Sequence, residues 1–191
     1  MPLPIAHGLA GASIAAISCS GAEPHQKRKA IIVGVALAIS PDLDLLLAWG
    51  LDLGDKWHGS FSHSITFAIA AGLMASALMG GLSIRRAMLY GAITLSHTLM
   101  DAATSREFGA VELLWPFSTR SFGLGLFDYF EFTPNLKTNP LADDLLRAFI
   151  ISLYELLIFT PVFLLALFIS RRASQSRDID QTPVPAESAR D

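Results

Sequence analysis

One stretch constrains this chain more than any other: Tyr90-Gly-Ala-Ile-Thr-Leu-Ser-His97-Thr-Leu-Met-Asp101-Ala-Ala-Thr104. Polar groups recur there at 90, 94, 97, 101 and 104, in steps of four, three, four and three. That period predicts a helix with Tyr90, Thr94, His97, Asp101 and Thr104 along one face and an otherwise apolar surface. His97 and Asp101, at i and i+4, would stand with Cβ atoms about 5 to 6 Å apart and can grip one ion together.

The rest of the chain reads as membrane. Over 191 residues, 52% are hydrophobic and only 16% charged, and the mean hydropathy is +0.46, which does not suit an ordinary soluble domain. A net charge of -3 gives no nucleic-acid footprint, so no direct nucleic-acid binding is expected. A single cysteine, Cys19, rules out an internal disulfide framework and a thiolate metal cluster. Met1-Pro-Leu-Pro-Ile lacks the positive charge that opens a signal peptide, so the first apolar segment is expected to stay in the mature protein.

Five apolar segments follow from the pattern. Ile5–Ser20 is rich in small residues and predicts a short helix packed closely on its neighbours. A polar loop, Gly21 to Lys29, ends in Lys27-Arg28-Lys29. Ala30–Gly50 is long enough to span but is interrupted by Ser40-Pro-Asp-Leu-Asp44. Proline should push Ser40 into extended geometry and split the segment into two half-helices. Phe61–Gly80 and Ala87–Thr104 are the third and fourth segments, and Leu145–Ile169 the fifth, with Pro161 a kink and Arg171-Arg172 its stop. The stretch from Ser105 to Asp144, rich in aromatics and glycines, should fold partly into the interface as a lid. The expected fold is all-α: a polytopic membrane helical bundle of about five spans, the second broken at Pro41, plus this aromatic-rich outer loop. Residues 1–172 form the membrane-embedded metal-binding domain, and 173–191 a disordered polar tail.

If the segments alternate, one side receives Lys27, Arg28, Lys29, Arg85, Arg86, Arg171, Arg172, Arg177 and Arg190. The other receives Lys56, Arg106, Arg120, Lys137 and Arg147. The positive-inside rule then puts this multi-pass chain in the cell's inner (plasma) membrane with its C-terminal tail cytoplasmic. The 51–60 and 105–144 loops lie outside, where Trp49, Trp57 and Trp115 would make an aromatic belt.

In that topology His7, Asp42, Asp44, His58, His63, His97 and Asp101 all fall toward the outer ends of segments one to four. No Lys or Arg lies within those four spans. Carboxylates near a helix centre cost about 2.5 to 3.5 kcal/mol each, and three would consume a sum on the order of a domain's whole stability. A divalent cation is the best neutraliser, because neutral imidazole and carboxylate are its usual ligands. Each residue has an ordinary reading as well. Ser40-Pro41-Asp42 is a good helix start, His7 can be a surface residue, His58 and His63 interfacial, and His97 with Asp101 a helix-to-helix hydrogen bond. Jointly those readings must all hold at once, which favours the ion. Glu155 in segment five stays unassigned.

The set His7, Pro41-Asp-Leu-Asp44, His58-Gly-Ser-Phe-Ser-His63-Ser64, His97-Thr-Leu-Met-Asp101 and Leu114-Trp-Pro-Phe117 resembles the motifs of the YdjM-like family. These are inner-membrane proteins described as metal-dependent hydrolases, one branch being described as LexA-binding or LexA-regulated. The resemblance covers roughly residues 5 to 120 and implies that the seven histidines and aspartates are the metal ligands. It departs at Gly59 and Ser60, where the family usually carries Arg-Gly, so an arginine able to meet an anionic substrate is missing.

Seven ligands exceed the need of one structural zinc, so the expectation is two divalent ions, zinc first with manganese or iron as alternatives. The catalytic group would be Asp42, Asp44, His97 and Asp101, with Asp42 or Asp44 bridging and His7, His58, His63, His97 and Asp101 as terminal ligands. The expected activity is hydrolysis of an ester or phosphoester, on a lipid or small molecule, at the outer face. A metal-binding membrane transporter and a non-catalytic membrane regulator are the alternatives. Oligomeric state is not readable.

Overall fold

A computed structural model describes residues 2–45, 58–104, 110–126 and 140–180. Among them the chain is all-helical, with α1 (Pro4–Ser18), α2 (Pro24–Ile39), α3 (Ile65–Leu78), α4 (Ile84–Thr104) and α5 (Leu141–Asp180). Single 3₁₀ turns at Ser40–Asp42 and Phe61–His63 follow α2 and precede α3. Among the described residues, extended backbone pairs only at an isolated antiparallel bridge between Val111 and Phe122.

Small residues set the helix crossings. A Cβ on Gly11 would lie 2.5 Å from the Gly34 carbonyl oxygen, so α1 and α2 touch backbone to backbone. On Gly72 it would lie 2.4 Å from the Ala87 carbonyl oxygen, which brings α3 equally close to α4. α1 also packs against α4 and α5 and is the innermost helix, with Ala6, Ala15 and Ala16 at zero exposure. Paired positions give the directions. Gly8 meets Ile39 and Val35 while Gly11 meets Gly34, so α1 and α2 run oppositely. Glu155 meets the start of α1 and Ser170 its end, so α1 and α5 run the same way.

Among the described residues, one helix, over Leu141–Gln175, is long and apolar enough to cross a membrane. α1 and α3, at 15 and 14 residues, rise only about 21 to 23 Å against a hydrocarbon core of about 30 Å. Large apolar side chains are nevertheless exposed on every helix, among them Ile32 on α2, Leu78 on α3, Met88 on α4 and Leu157 on α5.

Three local expectations need correcting. α2 starts at Pro24, so Lys27, Arg28 and Lys29 are helical and not in a loop; proline at the first helical position is itself a start signal. Ser40 is not extended: at φ -58° and ψ -31° it stays helical. Its hydroxyl donates to the Leu37 carbonyl at 2.8 Å, and the Leu43 N–H reaches the Ser40 carbonyl, so the interruption is a tightened turn in which Ser40 closes α2 as its C-cap. Arg171-Arg172 do not stop α5, which continues to Asp180. Trp49, Trp57, Lys56, Arg106, Lys137 and residues 181–191 lie outside the described residues.

Candidate metal centre

The predicted polar face of α4 is buried: Tyr90, Thr94, His97, Asp101 and Thr104 all point into the bundle. Ala87 and Ile93 are buried beside them while Met88 and Leu99 are exposed, which fixes the helix's rotation about its own axis. His7 enters from the first turns of α1, Asp42 from the 3₁₀ turn after α2, and His63 from the 3₁₀ turn before α3. Four chain segments thus deliver side chains to one end of the bundle.

Five side chains meet there. Asp101 lies 3.4 Å from His7 Nε2, 3.3 Å from His63 Nε2 and 3.0 Å from His97 Nε2. Asp42 Oδ1 lies 3.3 Å from His97 Nε2 and 3.8 Å from His63 Nε2. The His7 and His97 rings stack with centroids 3.8 Å apart. Ligand atoms of Asp42, His63, His97 and Asp101 all lie within 4.8 Å of one another, which is the span of a single ion's coordination shell.

Asp44 and His58 form a second group on the other side of the His63 ring. His58 Nδ1 is 2.9 Å from Asp44 Oδ1, and Ser62 donates its hydroxyl hydrogen to Asp44 Oδ2. Ser62 therefore accepts from His63 Nδ1, 2.9 Å away. That leaves the lone pair of His63 on Nε2, facing inward. On His97 the same logic is simpler. Its Nδ1 lies 2.7 Å from the Ala38 carbonyl, which can only accept, so Nε2 again carries the inward lone pair.

With both rings in the neutral form a metal requires, two imidazole lone pairs then face each other, with the Nε2 atoms 3.1 Å apart. They repel unless something electron-poor sits beside them. His7 Nδ1 and Nε2, Asp42 Oδ1 and both Asp101 oxygens are also buried with no hydrogen-bond partner among the described residues. Leaving such atoms unmet costs about 1 to 3 kcal/mol each, and more for charged groups. The ion-pair partners of the three aspartates are all histidines among the described residues. Mixed nitrogen and oxygen donors, converging and unmet, fit a divalent cation.

The aromatic segment closes this end. The Ile65 N–H donates to the Leu113 carbonyl and the Glu112 N–H to the Gly59 carbonyl, tying the segment to the turn that carries His58 and His63. Leu124 and Leu126 N–H groups bond to the carbonyls of Ala102 and Ala103, capping the end of α4. The backbone at Gly59 requires a glycine. Its φ of +80° and a would-be Cβ contact of 2.8 Å with the Ala110 carbonyl oxygen bar a longer side chain from that position in this chain.

Glu155, unassigned from sequence, has a definite role. It is fully buried, and its carboxylate accepts from the backbone N–H of Leu3 and, at 3.0 Å, of Ala6. The residue before α1 supplies no side-chain cap and its first turn holds no acid, so α5 caps α1 from outside. His7 follows Ala6 directly. Ser62 also escapes sequence reasoning, because a serine beside a histidine gives no periodic signal.

A family model described as YdjM inner membrane protein matches residues 1–177. Among curated proteins and among solved structures, no match is found.

Proposed function

The chain belongs to the YdjM inner membrane protein family, and from that premise we propose a metal-dependent hydrolase of esters or phosphoesters, of lipid or small-molecule origin, working at the membrane interface. The observation that carries the reading is the set of unmet, inward-facing donors of His7, Asp42, His63, His97 and Asp101. A divalent cation, zinc first, would supply Lewis-acid activation of water and stabilise developing negative charge on oxygen.

The residues divide the remaining work. His63 and His97 present Nε2 inward because Ser62 and Ala38 hold their Nδ1 hydrogens. Asp44 orients Ser62 and His58 and stands apart from the inner group. An imidazole whose second nitrogen carries a hydrogen serves one ion, so this geometry favours a single ion over the expected pair, and Asp42 or Asp101 over Asp44 as the working carboxylate. Asp42 has 9% of its side chain exposed, where the other four have 1% or less, and is the inner acid placed to accept a proton from water. The exposed Phe117, Leu124 and Leu126 of the covering segment would meet the apolar part of a lipid substrate.

Membrane embedding by several helices, with the metal end extracytoplasmic and the tail cytoplasmic, belongs to the same proposal. It is supported by the exposed apolar faces of α3, α4 and α5 and by the alternating directions of α1 and α2. Purified protein offered p-nitrophenyl esters, bis-p-nitrophenyl phosphate and phospholipid should hydrolyse at least one substrate class. Hydrolysis should vanish in His97→Ala while the helical fold survives. Metal flux into proteoliposomes without turnover would replace the hydrolase with a transporter.

A further inference from the structure

At the opposite end of α1 from His7, a cavity of about 870 Å³ opens where α1 gives way to α2 beside the last turns of α5. Lys27 and Arg28 of α2 and Arg171 of α5 line it together with the apolar Ile31, Ile32 and Leu167. The Lys27 ammonium is not a loose surface charge. It donates to Ser170 Oγ at 2.6 Å, and the fully buried Ser170 donates in turn to the Ala16 carbonyl at 2.6 Å. The Gly21 N–H bonds to Ser174 Oγ at 2.9 Å, which ties the α1–α2 turn to α5 at the same cavity.

None of the three cations pairs with a carboxylate among the described residues. One acid, the exposed Glu23, lines the cavity, so the lining carries three positive charges against one negative. Beside these cations the lining is apolar, with Ile32 58% exposed, and Leu164 on the turn of α5 before Leu167 is exposed as well. Clustered cations next to exposed hydrocarbon suit one amphiphile with a phosphate-sized anionic head.

We infer that this groove is a binding site for an acidic phospholipid, its phosphate held between Lys27, Arg28 and Arg171 and its acyl chains lying along Ile31, Ile32 and Leu167. Basic pockets between membrane helices take such headgroups, and each cation near the surface contributes about a fivefold gain in affinity. The site is separate from the histidine and aspartate cluster and does not depend on how that cluster is used.

The test is native mass spectrometry of the full-length protein released from detergent containing equal phosphatidylglycerol and phosphatidylcholine. The wild type should retain phosphatidylglycerol in preference. The triple variant Lys27→Gln, Arg28→Gln, Arg171→Gln should lose roughly a hundredfold in that preference while its melting temperature and metal content stay unchanged, since glutamine at 27 keeps a donor for Ser170. Equal retention by variant and wild type would overturn the site. So would displacement of the lipid by millimolar inorganic phosphate, which would mean that the cations read a free anion and the apolar lining plays no part. If the triple variant unfolds, the single Arg28→Gln, at an exposed position, should still show about a fivefold loss, and an unchanged preference there would also count against the lipid.

Discussion

Replacing Glu155 by alanine should unsettle α1 and the metal centre together. The carboxylate meets two N–H groups of the first turn of α1, and hydrogen bonds to a charged acceptor contribute about 1.5 to 3 kcal/mol each. Against that stands the cost of keeping a carboxylate buried, several kcal/mol before its partners compensate, which Glu155→Ala also removes. The net expected loss is about 2 to 3 kcal/mol, near the upper end for a helix cap. For a chain of this size that is roughly 4 to 12 °C in melting temperature. Because His7 follows Ala6, metal affinity should fall as well, about 10- to 100-fold, as when a supporting partner of a ligand is lost. Glu155→Gln keeps one acceptor oxygen and should cost about half as much stability as Glu155→Ala. Thermal unfolding in detergent and a zinc titration read both effects. If Glu155 acts through His7, Glu155→Ala added to His7→Ala should cost little further affinity. A Glu155→Ala protein that melts and binds zinc like wild type would refute the capping argument.

Three further outcomes follow from the same geometry. Gly72→Ala should destabilise by about 1 to 3 kcal/mol, because the new methyl would press on the Ala87 carbonyl and the Gly91 backbone; chemical denaturation measures it. Ser62→Ala should weaken zinc binding about 10- to 100-fold without removing a ligand, since His63 loses the partner that holds its Nδ1 hydrogen. Removing metal with a chelator should lower the melting temperature, whereas the same treatment of His97→Ala should change it little, because the ion's binding energy is linked to folding.

The buried face of α4 is readable from sequence because polar residues recurring at helical spacing inside an apolar segment mark a single face that needs protein partners. The close packing of α1 is equally visible in its small residues, although not which helix it meets. Asp42 and Asp44 look like equivalent ligands in the sequence, yet residues two apart on a helical turn do not share a face. That spacing alone is enough to separate them, and the structure puts them on opposite sides of His63. Glu155 is beyond sequence reasoning, since it caps a helix 149 positions away from it along the chain. The extension of α5 past Arg171-Arg172 is hidden because a charge pair marks where a helix leaves lipid and not where it ends; arginine is a good helix former.

The most direct test of the centre is metal content by elemental analysis of detergent-purified protein prepared without chelator, joined to X-ray absorption to identify the ligands. The account predicts one divalent ion per chain in a mixed nitrogen and oxygen shell, retained in Asp44→Asn and lost in His97→Ala. Folded wild-type protein that carries no ion, or an ion that persists unchanged in His97→Ala, would contradict it.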